Sequence, residues 1–241
     1  MVISQSWWEG RSLEGKTAVI VNAWFGPGLA TARLFANEGA RVIVTASRQN
    51  HVNFAIDQIG ENATGFACGP MVAGQLAARF RRCCPEGIDI LCVFPTRGEL
   101  AVPGQITAEV REKVMSGVGE LFSIVQLALP LMNPNSALIL SGPVSALDKN
   151  QCFALNDAAY ALEKQLIKTQ VGRFSDRNIR LNFLSFLDGL DGGNTNNPIR
   201  HFGAGKSGEA ELIAANAMYL ALPECRLNGL QVYMDGHCQT F

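Results

Sequence analysis

Residues 17–22, Thr-Ala-Val-Ile-Val-Asn, form a short apolar run rich in β-branched side chains. A glycine-bearing turn follows, and Leu29-Ala30-Thr31-Ala32-Arg33-Leu34-Phe35-Ala36 carries apolar residues at helical spacing. Gly39 then stops the helix, and Arg41-Val42-Ile43-Val44-Thr45 opens a second strand. A strand–helix–strand unit of about 30 residues constrains the chain more than any other feature. It requires two parallel strands joined by a right-handed crossover.

The alternation continues. Strands are expected at 64–68, 88–94, 137–140, 180–185 and 231–234, and helices at 72–82, 107–131, 157–174 and 209–221. Near-continuous apolar strands alternating with helices predict an α/β fold. Its form is a Rossmann-type, doubly wound, parallel seven-stranded sheet with helices on both faces. No repeat or composition break divides the chain, so residues 1–241 read as a single domain. The segment 188–198, rich in Gly and Asn, reads as a loop.

Composition narrows the partners. Hydrophobic residues make up 48% of the 241 and charged residues 17%, which suits a chain with a sizeable core. A formal net charge of −1 offers no field for nucleic acid or an anionic membrane. The Arg79-Phe80-Arg81-Arg82 cluster reads as a solvated helix face. No apolar run reaches the roughly 20 residues of a membrane span, and the N-terminus lacks the pattern of a secretory signal. Seven cysteines without a C-x-x-C pair, and three histidines apart from them, argue against a disulfide framework or zinc site. Reduced thiols in a cytoplasmic protein are expected, most of them packed as small hydrophobes.

Several segments carry a family resemblance. Leu13-Glu14-Gly15-Lys16-Thr17-Ala18-Val19-Ile20, and then Leu29 through Val44, resemble the opening of the short-chain dehydrogenase/reductase (SDR) family. Ala158-Ala159-Tyr160-Ala161-Leu162-Glu163-Lys164 resembles its Y-x-x-x-K motif, and Asn178-Ile179-Arg180-Leu181-Asn182 its following strand. Gly205-Lys206-Ser207-Gly208-Glu209, Asn228-Gly229-Leu230-Gln231 and Asp235-Gly236 resemble its C-terminal segments. Gly205-Lys206-Ser207 also resembles the end of a P-loop, but that loop needs glycine where Arg200 stands.

The resemblance implies hydride transfer between a nicotinamide and a carbonyl or alcohol, and against that pattern many residues are altered. The family turn is T-G-x-x-x-G-x-G, which lets the backbone approach a pyrophosphate at a helix N-terminus. Here Gly26 and Gly28 match, Asn22 replaces the first glycine, and Trp24 and Phe25 occupy the turn. Asn tolerates left-handed backbone, so the turn is expected to survive. The two aromatics either plug the cofactor cleft or pack on the neighbouring loop. Ser47 and Arg48 suit the 2′-phosphate of NADP, and no acid is placed for the ribose of NAD. Cys68-Gly69-Pro70 and Val93-Phe94-Pro95-Thr96 replace the family's adenine contacts. The expectation is that this chain binds no cofactor, and that NADP(H) or NAD is the one it would take if any.

The catalytic set is incomplete in the same way. In the family a Tyr phenol moves the proton, and a nearby Lys ammonium lowers its pKa from about 10. Tyr160 and Lys164 stand one helical turn apart, as that role requires. They are either a surviving acid/base pair or residues inherited with the fold, with Lys164 then pairing with a carboxylate. The family's Ser, thirteen positions before the Tyr, is Leu147; alignment on the strand instead puts Gly142 there, beside Ser141. Ser141 and Ser145 serve only if the intervening loop carries an insertion. The relay Asn of the long helix aligns with Gly117, and the P-G after the sixth strand with Phe186-Leu187.

Three functions are expected from the resemblance. The first is a non-catalytic subunit that supports an active SDR dehydrogenase in a hetero-oligomer. The benzylsuccinate-pathway acyl-CoA dehydrogenase is such an arrangement, and this chain is similar to its inactive member. Segments 107–131, 157–174 and 209–241 match those through which the family forms dimers or tetramers. The second is a self-sufficient NADP(H)-dependent oxidoreductase using Tyr160 and Lys164. The third is a repurposed non-redox enzyme that resembles halohydrin dehalogenases at Asn22 and Phe25, but carries Lys164 where they have Arg and Leu147 where they have Ser.

Overall fold

Seven strands form one all-parallel sheet in the order β3-β2-β1-β4-β5-β6-β7. The computed structural model describes residues 12–68, 73–94, 107–144, 154–187 and 209–234. The strands are β1 (Thr17–Val21), β2 (Arg41–Ala46), β3 (Ala63–Ala67), β4 (Ile88–Val93), β5 (Met132–Val144), β6 (Arg180–Leu187) and β7 (Gln231–Met234). Between them run α1 (Gly26–Asn37), α2 (Gln49–Ile59), α3 (Ala73–Cys83), α4 (Ala108–Ala128), α5 (Ala154–Ser175) and α6 (Glu209–Ala221). The doubly wound parallel sheet expected from the alternation is thus the observed fold. The order reverses at β1, with β2 on one side and β4 on the other. That reversal is the switch point where open α/β sheets place their ligands.

The core lies in two layers. On one face of the sheet, α1, α2 and α6 bury Phe35, Val52 and Ala217 against Ile20, Val44 and Cys92. On the other, α3, α4 and α5 bury Phe80, Val125 and Phe174 against Val19, Leu91 and Leu181. Burial on both faces explains why the central strands read as unbroken apolar runs. Phe80 is fully buried between exposed Arg79 and Arg81, so the basic cluster is a solvated face around one core residue. α4, with the short 3-10 turn Leu129–Leu131, is long and apolar enough to span a bilayer by length and composition alone. Here it lays Leu121, Ile124, Val125 and Ala128 on the sheet.

Two elements differ from the sequence expectation. α2 is absent from the sequence expectation: Gln49-Asn50-His51-Val52-Asn53 is rich in residues of middling helix propensity. Val52, Ala55, Ile56 and Ile59 nevertheless sit at i, i+3, i+4 and i+7 and pack on the core. β5 begins five residues earlier than expected, because the chain before Ala137 still pairs with β4 through a register shift.

Arginines close the helix ends. Arg180 donates to the carbonyls of Leu220 and Leu222, the latter at 3.0 Å, at the end of α6. Arg177 donates to the carbonyls of Leu129 and Met132 after α4. Except for Met132, which opens β5, these are groups a helix leaves unpaired, at the end its dipole makes negative. Buried Asn182 accepts from Leu230 N–H at 3.2 Å and donates to the Leu227 carbonyl at 2.8 Å, which ties β7 to the sheet.

A candidate site at the carboxyl ends of the strands

The turn after β1 keeps its backbone shape despite its altered residues. Asn22 has φ 61°, as its tolerance of left-handed backbone predicts, and Gly26 has φ 50°. Gly28 packs so tightly that a Cβ there would lie 2.6 Å from the Asn22 carbonyl oxygen. The glycine is required by strand–helix packing, whatever the turn binds. Gly28→Ala is expected to cost about 2 kcal/mol through backbone displacement, read as a lower urea midpoint at unchanged m-value.

The side chains of the turn look inward. Asn22 donates through Nδ2 to the Phe94 carbonyl at 2.7 Å and so closes the seam between β1 and β4. Trp24 stacks on His51 of α2, with ring centroids 3.8 Å apart and planes 11° from parallel. Phe25 tilts against Trp24 at 4.3 Å. Trp24 and Phe25 thus pack on each other and, through Trp24, on α2. The stack joins the turn after β1 to the first turn of α2, which follows β2. Ser47 and Arg48 stand exposed between β2 and α2, Arg48 at the N-cap of α2.

Pro27 is a further departure, and motif spacing alone gives it no weight. It sits in the first turn of α1, where a bound phosphate draws on free backbone N–H groups. Proline has none. Pro27, the Asn22–Phe94 bond and the Trp24–His51 stack are three departures from the family's dinucleotide turn.

At the end of β5, Ser141 is 2% exposed and donates to the Val93 carbonyl at 3.0 Å. Its hydroxyl therefore staples β5 to β4. Gly142 follows, opposite Ser185 of β6. Ser145 and Leu147 lie outside the described residues. Tyr160 lies on α5, and its side chain is outside the described set. Lys164 is half-buried and donates from Nζ to the Tyr233 phenol of β7 at 3.2 Å, so its described partner is a phenol rather than a carboxylate. Gly117 faces open space, and Phe186 is buried in β6.

Glu163, unmarked inside the Y-x-x-x-K motif, is a group that sequence reasoning misses. A Cβ on Gly142 would lie 3.0 Å from Phe183 Cζ and 3.6 Å from Glu163 Oε2, so this carboxyl reaches the end of β5. Burial pushes its pKa up to about 7. Among the described residues no group of three His, Cys, Asp or Glu is placed to hold a metal ion. Cys84, Cys92 and Cys225 are buried thiols, and burial pushes Cys84 up to about 11, which leaves it inert.

No family model matches the chain. It is 30% identical over 179 residues to an oxidoreductase of Sarocladium schorii, covering 72% of each chain. It is 26% identical over 244 residues to the 3-oxoacyl-acyl-carrier-protein reductase of Vibrio cholerae, covering 93% of this chain and 98% of that one. A 3-oxoacyl (acyl-carrier-protein) reductase from Agrobacterium tumefaciens, solved with NADP bound, superimposes with a TM-score of 0.78 at 22% identity, over 98% of this chain and 99% of that one. Together with the strand order, the Y-x-x-x-K helix and the glycine turn, these likenesses establish that the chain belongs to the short-chain dehydrogenase/reductase family.

Proposed function

We propose that this chain is a non-catalytic SDR-fold subunit that supports an active SDR dehydrogenase in a hetero-oligomer. One observation carries the reading. Where β5 ends beside the Y-x-x-x-K helix, the Ser141 hydroxyl is spent on the Val93 carbonyl and the next residue, Gly142, has no side chain. Proton transfer needs an oriented substrate oxygen, and neither residue offers a hydroxyl to hold one. Pro27, which removes one N–H from the first turn of α1, adds to this. The outer surface points the same way. Phe122 on α4, Leu162 on α5, Leu212 and Tyr219 on α6, and Leu230 and Tyr233 at the edge strand β7 are large and exposed. Large side chains at an edge strand and its flanking helices suit a partner chain.

Two measurements test the proposal. Titrating the purified chain with NADPH, followed by fluorescence, is expected to give no saturation in the micromolar range. Tagging it in its native cells is expected to recover an SDR-family dehydrogenase whose turnover falls when this chain is removed. A homo-oligomer that binds NADPH and turns over alone sinks the proposal. It would favour the second reading, an NADP(H)-dependent oxidoreductase using Tyr160 and Lys164, which draws on the retained backbone of the turn at Asn22, Gly26 and Gly28.

A further inference from the structure

We infer that Tyr233 of β7 is a modification site, a nucleophilic tyrosine whose phenol oxygen takes the acyl group of an activated acyl donor. Lys164 on α5 donates from Nζ to the Tyr233 oxygen at 3.2 Å, and the same ammonium lies 5.8 Å from the centre of the ring. Tyr233 is 47% exposed on an edge strand, so a reagent in solution reaches it. A cation in hydrogen-bond contact favours the ionised form of an acid, and for a phenol that form is the nucleophile.

The surroundings leave this charge uncancelled. On α5, Glu163 reaches Gly142 of β5, two strands from β7, and Lys168, one turn beyond Lys164, is also basic. On β6, Ser185 stands opposite Tyr233, is neutral and accepts from Gln231 Nε2 at 2.8 Å. The residues of β7 itself, Gln231–Met234, carry no charge. Tyr219 on α6 supplies the comparison: it is 45% exposed, and among the described residues no hydrogen bond reaches its hydroxyl. The two phenols therefore differ in the ammonium rather than in access. A cation that makes the phenolate about tenfold more abundant lowers its intrinsic reactivity by about threefold, which leaves a net gain of about threefold.

N-acetylimidazole is the probe. The phenol loses its proton, the bond from Tyr233 Oη to the acetyl carbon forms, the acyl carbon–nitrogen bond breaks, and imidazole leaves with the proton. The step needs neither a nicotinamide nor a partner chain, so its outcome stands apart from that of the proposed subunit role. A partner on β7 would shield Tyr233, so the purified full chain is treated alone, at about pH 7.5. Peptide mass spectrometry follows each of its three tyrosines. Tyr233 is expected to acetylate about threefold or more faster than Tyr219. Hydroxylamine is expected to remove the group, as it does from phenol esters and not from lysine amides. Lys164→Met is expected to bring Tyr233 down to the rate of Tyr219, and Lys164→Arg, which keeps the charge, to preserve the excess. Far-UV circular dichroism confirms that each variant is folded, and Lys164→Gln serves if Lys164→Met is not. Equal rates at Tyr233 and Tyr219, an excess kept in the neutral variant, or acetyl found on Lys164 in place of Tyr233 overturns the inference.

Discussion

Phe183→Ala is expected to lower the stability of the chain by about 3–5 kcal/mol, and to return the Glu163 carboxyl toward its ordinary titration range. Phe183 is 1% exposed and among the largest fully buried side chains. It sits on β6 opposite Leu140 and Gln231, within the core layer that includes Phe174 and Leu181. Removing its ring deletes the transfer energy of the aromatic side chain and leaves a cavity that rigid strands on both sides cannot collapse. The ring also packs over Gly142, close to the Glu163 carboxyl. Without it, water enters beside Glu163 and the desolvation that raises its pKa is relieved. Urea denaturation reads the first effect, and side-chain carboxyl NMR the second. A loss under about 1 kcal/mol, with Glu163 unmoved, contradicts this account of the packing.

Glu163→Gln is expected to change the pH dependence of stability by up to about 4 kcal/mol. The unfolded carboxyl titrates at about 4.3, and burial raises the folded one to about 7. Below the lower value both states are protonated, and the group contributes no pH dependence. Between the two, the folded chain holds a proton that the unfolded chain has released, so stability falls as pH rises. Above about 7 the cost of the buried charge is expressed in full. Each pKa unit is worth about 1.4 kcal/mol, which sets the upper limit given; partial solvent access brings the expected value nearer to about 2. A glutamine side chain, neutral throughout, escapes this cost. The variant should match wild type near pH 4 and exceed it near pH 8. Chemical denaturation at those two pH values checks the sign, and a variant less stable than wild type at pH 8 refutes the assignment.

The fold and the site differ in how much of each the chain discloses. The parallel sheet is legible because Val19, Ile43, Leu91 and Leu138 stand in strands buried on both faces, and such strands must be apolar throughout. The glycine turn is legible for a similar reason: left-handed backbone at residue 22 and close packing at residue 28 admit few residue types, and Asn22 and Gly28 are among them. α2 carries its signal in Val52, Ala55, Ile56 and Ile59 at i, i+3, i+4 and i+7, but the polar residues of middling helix propensity around them mask it until a sheet lies beneath. The altered cofactor residues can be named from spacing, but not which way their side chains turn. Trp24 finds His51 across 27 residues of chain, and Ser141 finds Val93 across 48. Glu163 is the plainest case. Within the motif it is one carboxylate among 21 acidic residues, with nothing to mark it. Its character comes from the desolvation imposed by α5 packing over β5 and β6. Desolvation is a property of the surrounding volume, and residues distant in sequence build that volume.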